Sequence, residues 1–241
     1  MRKSLLFIAL CIVASVVAEN QYVIPGQVIN DALKNAEVGD TVFVATGTYN
    51  EYISIQDGVN MFGGYSADFT QRDVDLYPTI IDAADLGHYV MVKYDNPCTV
   101  ETVIDGFTLQ NGETSTGAGA YIRQNVTLSN CVIAYCVATS NAGGVYNDGG
   151  VVRNCLIELC TSGSTASAIY NRNGGLVENT VVRGCSGKEG AIRNEAGCIV
   201  RNCLLYNNSA TEEGWPNSGS LFNYGKAYNN TLVNNWGTQY A

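Results

Sequence analysis

Leu128-Ser-Asn-Cys-Val-Ile133, Val152-Arg-Asn-Cys-Leu-Ile157, Val177-Glu-Asn-Thr-Val-Val182 and Val200-Arg-Asn-Cys-Leu-Leu205 are variations on one six-residue phrase. A fifth version reads Tyr228-Asn-Asn-Thr-Leu-Val233, and a degenerate first one reads Ile104-Asp-Gly-Phe-Thr-Leu109. The shared position runs Gly106, Asn130, Asn154, Asn179, Asn202, Asn230, in steps of 24, 24, 25, 23 and 28. A self-similar period of this length is the mark of a solenoid, because one short repeat cannot bury a core alone and stacked repeats bury a continuous one.

A second phrase recurs between these copies: Gly144-Val-Tyr-Asn147, Ala168-Ile-Tyr-Asn171, Ala191-Ile-Arg-Asn194 and Ser220-Leu-Phe-Asn223. Each period therefore holds at least two short apolar pieces separated by Gly and Asn. Val, Ile, Thr and Tyr favour strands, and Gly and Asn favour turns. The fold class that follows is all-β: a right-handed parallel β-helix of about 24 residues per coil, each coil rising by about one strand spacing, ~4.8 Å.

Alternation along a strand assigns each residue a side. Cys131 and Ile133, with Phe107 and Leu109, Cys155 and Ile157, Thr180 and Val182, and Cys203 and Leu205, fall inside. So do Val145, Ile169, Ile192 and Leu221, followed by Asn147, Asn171, Asn194 and Asn223 at a bend. Amides stacked at a bend can hydrogen-bond from coil to coil, and both Asn rows are expected to form such ladders. Opposite in phase, Tyr146, Tyr170, Arg193 and Phe222 point outward. A second outward stripe reads Val132, Leu156, Val181, Leu204 and Leu232, apolar throughout, which marks an interface unless a flanking loop such as residues 211–220 covers it. Arg153, Glu178 and Arg201 share one outward position and Glu158 and Arg183 another, as cross-strand ion pairs would.

Outside the repeats, the chain divides at residue 18. Arg2 and Lys3, the apolar run Leu5 to Val17, and Val16-Val17-Ala18 have the make-up of a secretory signal peptide over residues 1–18. The domain over residues 19–241 is the β-helix, with its last coil uncapped at Ala241. Within it, Val28, Ile29, Ala32, Leu33 and Ala36 share one face of a helix over Gln27–Ala36, which can cover the open first coil. Thr41–Val44, Tyr52–Ile55 and Val59–Phe62 read as strands, and residues 63–80 as a polar loop.

The chain carries 13 Lys plus Arg against 22 Asp plus Glu. Without Arg2 and Lys3 the balance is 11 against 22, net −11. Such a surface repels polyanions and excludes nucleic acid as a partner. Past residue 18 no stretch is long and apolar enough to span a membrane. Eight cysteines follow the leader: Cys98, Cys131, Cys136, Cys155, Cys160, Cys185, Cys198 and Cys203. Since they align along the coil axis rather than around a point, buried free thiols are the leading expectation, a disulfide between adjacent coils is the alternative, and a zinc site ranks last.

Gly39-Asp-Thr-Val-Phe-Val-Ala-Thr-Gly-Thr-Tyr49 resembles the first coil of pectin-lyase-like β-helix proteins. Gly63-Gly-Tyr65, Gln71-Arg-Asp73, Pro78-Thr-Ile-Ile-Asp82, Ile104-Asp-Gly-Phe107, Gly190-Ala-Ile192 and Leu205-Tyr-Asn-Asn-Ser-Ala210 resemble bacterial surface β-helix proteins related to the polymorphic outer membrane protein repeats. The resemblance spans residues 25–235. It implies the fold and an exported, outer-surface location, and it says little about chemistry. Many members of that group continue into a C-terminal anchor or barrel.

Two functions from different classes follow. The first is non-catalytic adhesion or glycan binding, with Tyr146, Tyr170, Arg193 and Phe222 stacking on a cell-surface glycan or an extracellular protein of a host. The alternative is a polysaccharide lyase or glycoside hydrolase. The hydrolases that this fold resembles cluster Asp residues with a His, but the only His here is His88, and no paired carboxylates flank it. The lyases hold Ca²⁺ on several carboxylates, for which Asp73, Asp75, Asp82 and Asp85 beside Arg72 are the candidates. A solvated acidic loop explains those residues as well. The expectation is therefore no catalytic residue, no metal ligand, and no cofactor beyond a Ca²⁺ on that loop.

Overall fold

The computed structural model describes residues 18–84, 86–93, 95–211 and 219–237. Residues 1–17 of the leader expected over residues 1–18, Asp85, and most of the loop suggested to cover the apolar stripe lie outside these. Among the described residues, strands stack in register as four sheets around one core. Sheet A runs from Asn20–Val23 to Lys226–Tyr228 in nine strands, and sheet B from Gly47–Tyr49 to Thr231–Val233 in eight. Sheet C runs from Ile53–Ser54 to Leu221–Asn223 in seven, and sheet D from Glu113–Thr116 to Trp236–Gly237 in six. Every pairing between these strands is parallel; for example, Leu128 lies between Ile104 and Val152, and Ile133 between Leu109 and Ile157. A parallel β-solenoid of about 24 residues per turn is the result.

The core is one column of stacked aliphatic side chains. Ile104, Leu128, Val152, Val177 and Val200 line it from sheet A, and Leu109, Ile133, Ile157, Val182 and Leu205 from sheet B, all fully buried. Period-two alternation puts their neighbours outside, and on sheet B the phase read from sequence holds from Leu109 to Leu205.

The bends carry the polar chemistry. Asn147 donates its side-chain amide to Asn171 Oδ1 (2.8 Å), Asn171 to Asn194 Oδ1 (2.8 Å) and Asn194 to Asn223 Oδ1 (2.7 Å). Each of the first two also donates to a backbone carbonyl three or four residues on, at Gly150 and Gly175. A Cβ at Gly175 would lie 2.2 Å from Asn171 Oδ1, so the ladder requires glycine there. Asn147 Oδ1 has no partner, because the rung before it is Ile122.

The other Asn row is different. Asn130, Asn154, Asn179 and Asn202 are exposed at the corner between sheets A and B, in the left-handed conformation with φ of 50–55°. Asn tolerates that region better than other non-glycine residues, and the row serves the backbone turn rather than an amide ladder. Register also corrects its last member. Arg201 pairs with Tyr228 and Leu204 with Thr231, so Asn202 stacks on Asn229 and not on Asn230. Leu232 therefore stacks on Leu205 in the inward row and leaves the outward stripe. It is still half exposed, since no described coil lies below it.

The cysteines follow the corner. All eight in the described residues are free and buried. Cys131, Cys155 and Cys203 each donate the thiol to the carbonyl two residues earlier, at 3.1–3.2 Å. Thr180, on the same stack, makes the same bond with its hydroxyl at 2.9 Å. The next corner repeats the pattern with Cys136, Cys160 and Cys185. In the last coils Asn208, Asn230 and Asn235 take over, donating to Val182, Val200 and Leu205 carbonyls. A small, weakly polar side chain that can reach one carbonyl is what the position selects.

The N-terminal cover is shorter than expected. The helix is Ile29–Asn35; Ile29 and Leu33 are buried, and Ala32 and Ala36 pack beside them, but Val28 is exposed as the N-cap residue. Val28 cannot cap with its side chain. Glu51, from the next coil, supplies the missing acceptor, taking the Ile29 and Asn30 backbone N–H groups at 2.7 and 3.1 Å. A carboxylate there satisfies otherwise orphaned donors. Two further strands lie beside it: Asn20–Val23, which pairs with Thr41–Val44, and Gly47–Tyr49, which pairs with Thr79–Ile81. The loop after the third coil begins later than read, since the strand Asn60–Tyr65 runs past Gly63.

Candidate functional site

Residues Tyr146, Tyr170, Arg193 and Phe222 form one outward row on sheet C, one per coil. The structure extends the row at both ends. Tyr121 lies on the preceding rung, stacked on Tyr146 at 4.7 Å. Tyr89 meets Tyr121 edge-on at 6.4 Å, His88 follows at 5.8 Å, and Tyr52 stacks on His88 at 4.3 Å. At the far end Tyr224 packs against Phe222 at 5.1 Å. The result is a continuous aromatic belt along the solenoid.

The belt is internally braced. Tyr146 and Tyr170 meet edge-to-face at 5.2 Å. Arg172 donates to the Tyr146 hydroxyl at 2.8 Å, and the Tyr170 hydroxyl donates to Glu195 at 3.0 Å. Arg193 sits over Tyr170, Phe222 and Tyr224 at 5.4–5.7 Å and is ion-paired with Glu189 (2.7 Å) and Glu195 (2.6 Å). Burial opposes the Arg193 charge, yet the two carboxylates outweigh it and push its pKa up. Burial, and then the bond to Glu195, raises the Tyr170 phenol above its ordinary value.

These contacts divide the labour within the row. Tyr146 is 7% exposed and holds its neighbours in place. Arg193, already paired with two carboxylates, ties three rings together. Half-buried Tyr170 and Phe222, with Tyr224 (58% exposed) and Tyr52 (42%), present ring surface to solvent. Tyr121 was legible in Gly119-Ala-Tyr-Ile-Arg123, which has the spacing of Gly144-Val-Tyr-Asn147 one coil later. Tyr52, His88, Tyr89 and Tyr224 lie at bends outside the repeating phrase, where periodicity carries no signal.

The acidic loop is tied down by other means. Arg72 pairs with the Asp105 carboxylate and donates to the Gly63 carbonyl at 2.9 Å. Asp105 also accepts from Ser129 Oγ (2.5 Å) and Asn130 Nδ2 (2.6 Å). Asp73 accepts from the Asp75 and Leu76 N–H groups at 3.0 Å. Asp82 is held by Asn111 (2.9 Å) and Gln110 (2.7 Å). Burial works to raise the Asp82 pKa, but these bonds prevail and lower it. Asp85 lies outside the described residues. Among the described residues, no three His, Cys, Asp or Glu side chains gather as a metal would require. Beside the loop, Val74 and Asp75 border an open groove of about 270 Å³ against Val132 and Leu156.

A second aromatic cluster lies outside sheet A. Tyr22, Phe43 and Phe62 stack at 5.4 and 6.1 Å, and Tyr65 and Phe69 close over them. Arg72 already occupies the face of Phe62 and of Tyr65. The cluster is the seat of the 66–78 loop, a satellite core of the kind found under long loops.

No protein-family model matches the chain, and no curated protein matches it. No helix of the described residues is long and apolar enough to cross a membrane.

Proposed function

We propose that the chain is an exported, cell-surface β-helix of the pectin-lyase-like kind that binds an extended extracellular ligand without cleaving it. A glycan is the favoured ligand, and the aromatic belt is its binding surface. The observation that carries this is the belt's periodicity: one ring or guanidinium per coil, at strand spacing, on a rigid scaffold. Ring faces suit the apolar faces of sugars, and each stacking contact contributes on the order of 1 kcal/mol. Bracing by Arg172, Glu195 and Arg193 fixes the rotamers before binding, which lowers the ordering cost. Tyr170, Phe222, Tyr224 and Tyr52 make the contacts; Tyr146 and Arg193 position them.

A glycan array probed with the chain from residue 19 onward, with and without Ca²⁺, followed by product analysis of every hit, tests this. Binding that Tyr170→Ala with Phe222→Ala lowers at least tenfold, with no cleavage, is the expected result. Release of unsaturated or hydrolysed sugars would replace the reading with a lyase or hydrolase. Binding untouched by the double substitution would remove the belt from it.

A further inference from the structure

On the corner between sheets B and D, register aligns Asn111, Tyr135, Leu159, Gly184, Asn207 and Asn234. All six adopt the left-handed conformation, with φ between 51° and 62°. Asn and Gly accept it at little cost, but Tyr135 and Leu159 do not: an ordinary side chain there costs roughly 1–2 kcal/mol. Both are also turned to solvent, 54% and 46% exposed. Strained backbone and exposed apolar surface thus coincide at two successive coils, where four other coils show that Asn or Gly would serve the fold. An unfavourable pair of this kind points to a contact surface.

The surface beside them fits one. Val132, Leu156, Val181 and Leu204 form an unbroken half-buried apolar stripe on the outside of sheet B. The row next to it carries Glu158 and Arg183, ion-paired within the chain at 2.5 Å. The two charges cancel, so this stretch of the face is neutral on a chain of net charge −9, with Asp82 of the same row three coils before Glu158.

We propose that the outer face of sheet B is a homodimer interface, in which two copies pack face to face around a two-fold axis parallel to the strands. Charge argues for a second copy. Two net-negative chains repel overall, whereas on this face successive coils carry opposite signs, as they also do at Glu178 and Arg201 on sheet A; the strained, exposed Tyr135 and Leu159 are what set sheet B apart. An axis between the coils of Leu156 and Val181 sets Glu158 of each copy against Arg183 of the other, and Leu156 against Val181. The same axis sets Leu159 against Gly184, the smallest residue of its corner row. Such an interface is isologous, as closed dimers require. Sheet C lies across the coil from sheet B, so the two aromatic belts face outward on opposite sides, and a dimer would bind a polymeric ligand with two arms.

Sedimentation equilibrium and light scattering of the chain from residue 19 onward, from low micromolar concentration upward, test the proposal. The expected species is a dimer. Tyr135→Asn with Leu159→Gly should weaken it on the order of a hundredfold while holding or raising the thermal midpoint, since both residues are those of neighbouring coils. Glu158→Arg, a partly exposed change, should also weaken it, and adding Arg183→Glu should restore it. A wild-type chain that stays monomeric throughout, or a dimer indifferent to both sets of substitutions, would overturn the proposal.

Discussion

Asn171 donates its side-chain amide to Asn194 one coil away, at 2.8 Å, and accepts the amide of Asn147 from the other side at the same distance. Neither Asn171 nor Asn194 has any surface left in contact with water. A buried amide with all its bonds made is close to neutral for stability, but its neighbours are costly to orphan. Asn171→Ala leaves the Gly175 carbonyl and both flanking amides short of a partner. Unfolding by urea should show a loss of about 2–4 kcal/mol, and Gly175→Ala should lose a comparable amount through its clash with Asn171.

Thr180 shows what the cysteine corner accepts. Cys155→Thr should cost under ~1 kcal/mol, as a near-isosteric change that keeps the donor. Cys155→Leu should cost on the order of 1–3 kcal/mol by overpacking. Ellman's reagent should find the eight thiols of the chain from residue 19 onward unreactive when native and reactive in guanidinium.

Alkali should weaken the fold once the pH passes the ordinary range of these buried thiols and phenols. Burial pushes Cys203 up to about 11, and burial with help from Glu51 pushes Tyr49 up to about 12. Cys131 and Cys160 are raised as well, Cys131 by burial first and Cys160 by its bonds to Cys136 and Cys185 first. A group whose folded pKa is raised stabilises the fold fully below its unfolded pKa and loses that contribution as pH climbs to the folded one. The thermal midpoint should therefore hold up to about pH 9 and fall through pH 9–12, and Tyr49→Phe should make the fall shallower at its upper end.

Asp105 is the knot that ties the 66–78 loop to the solenoid. It is 6% exposed and accepts from Arg72, Ser129 and Asn130. Asp105→Ala leaves the Arg72 guanidinium without its carboxylate and should cost about 2–4 kcal/mol. Limited trypsin digestion should then cut after Arg72 well before the coils are degraded, whereas the wild-type loop should resist.

Glu51 caps the N-terminal helix from a different coil. Glu51→Ala removes the acceptor for two backbone N–H groups and should lower stability by about 1 kcal/mol. Glu51→Gln should recover most of it. Hydrogen exchange at Ile29 and Asn30 reads the effect directly.

The repeat alone determined the fold class, the number of residues per coil and the inward or outward phase of most positions from Phe107 to Leu205. Phase follows from alternation, a local property, and stacking follows from a period written in the chain itself. The Asn147 ladder and the free cysteines were legible for the same reason. What the sequence left open were contacts between residues a whole coil apart. The final coil slipped by one because Asn229 and Asn230 are identical letters and only pairing chooses between them, and a slip of one turns Leu232 from outside to inside. The Asn130 row read as a ladder because Asn serves equally as a stacked amide and as a left-handed corner. Backbone conformation, set by where the next coil lies, decided between them. The aromatic row was visible as a row, but which of its members face solvent depended on Arg172, Glu195 and Tyr121. Only packing decided that Tyr146 supports the belt while Tyr170 and Phe222 remain open to a ligand, because exposure belongs to a neighbourhood and not to a residue.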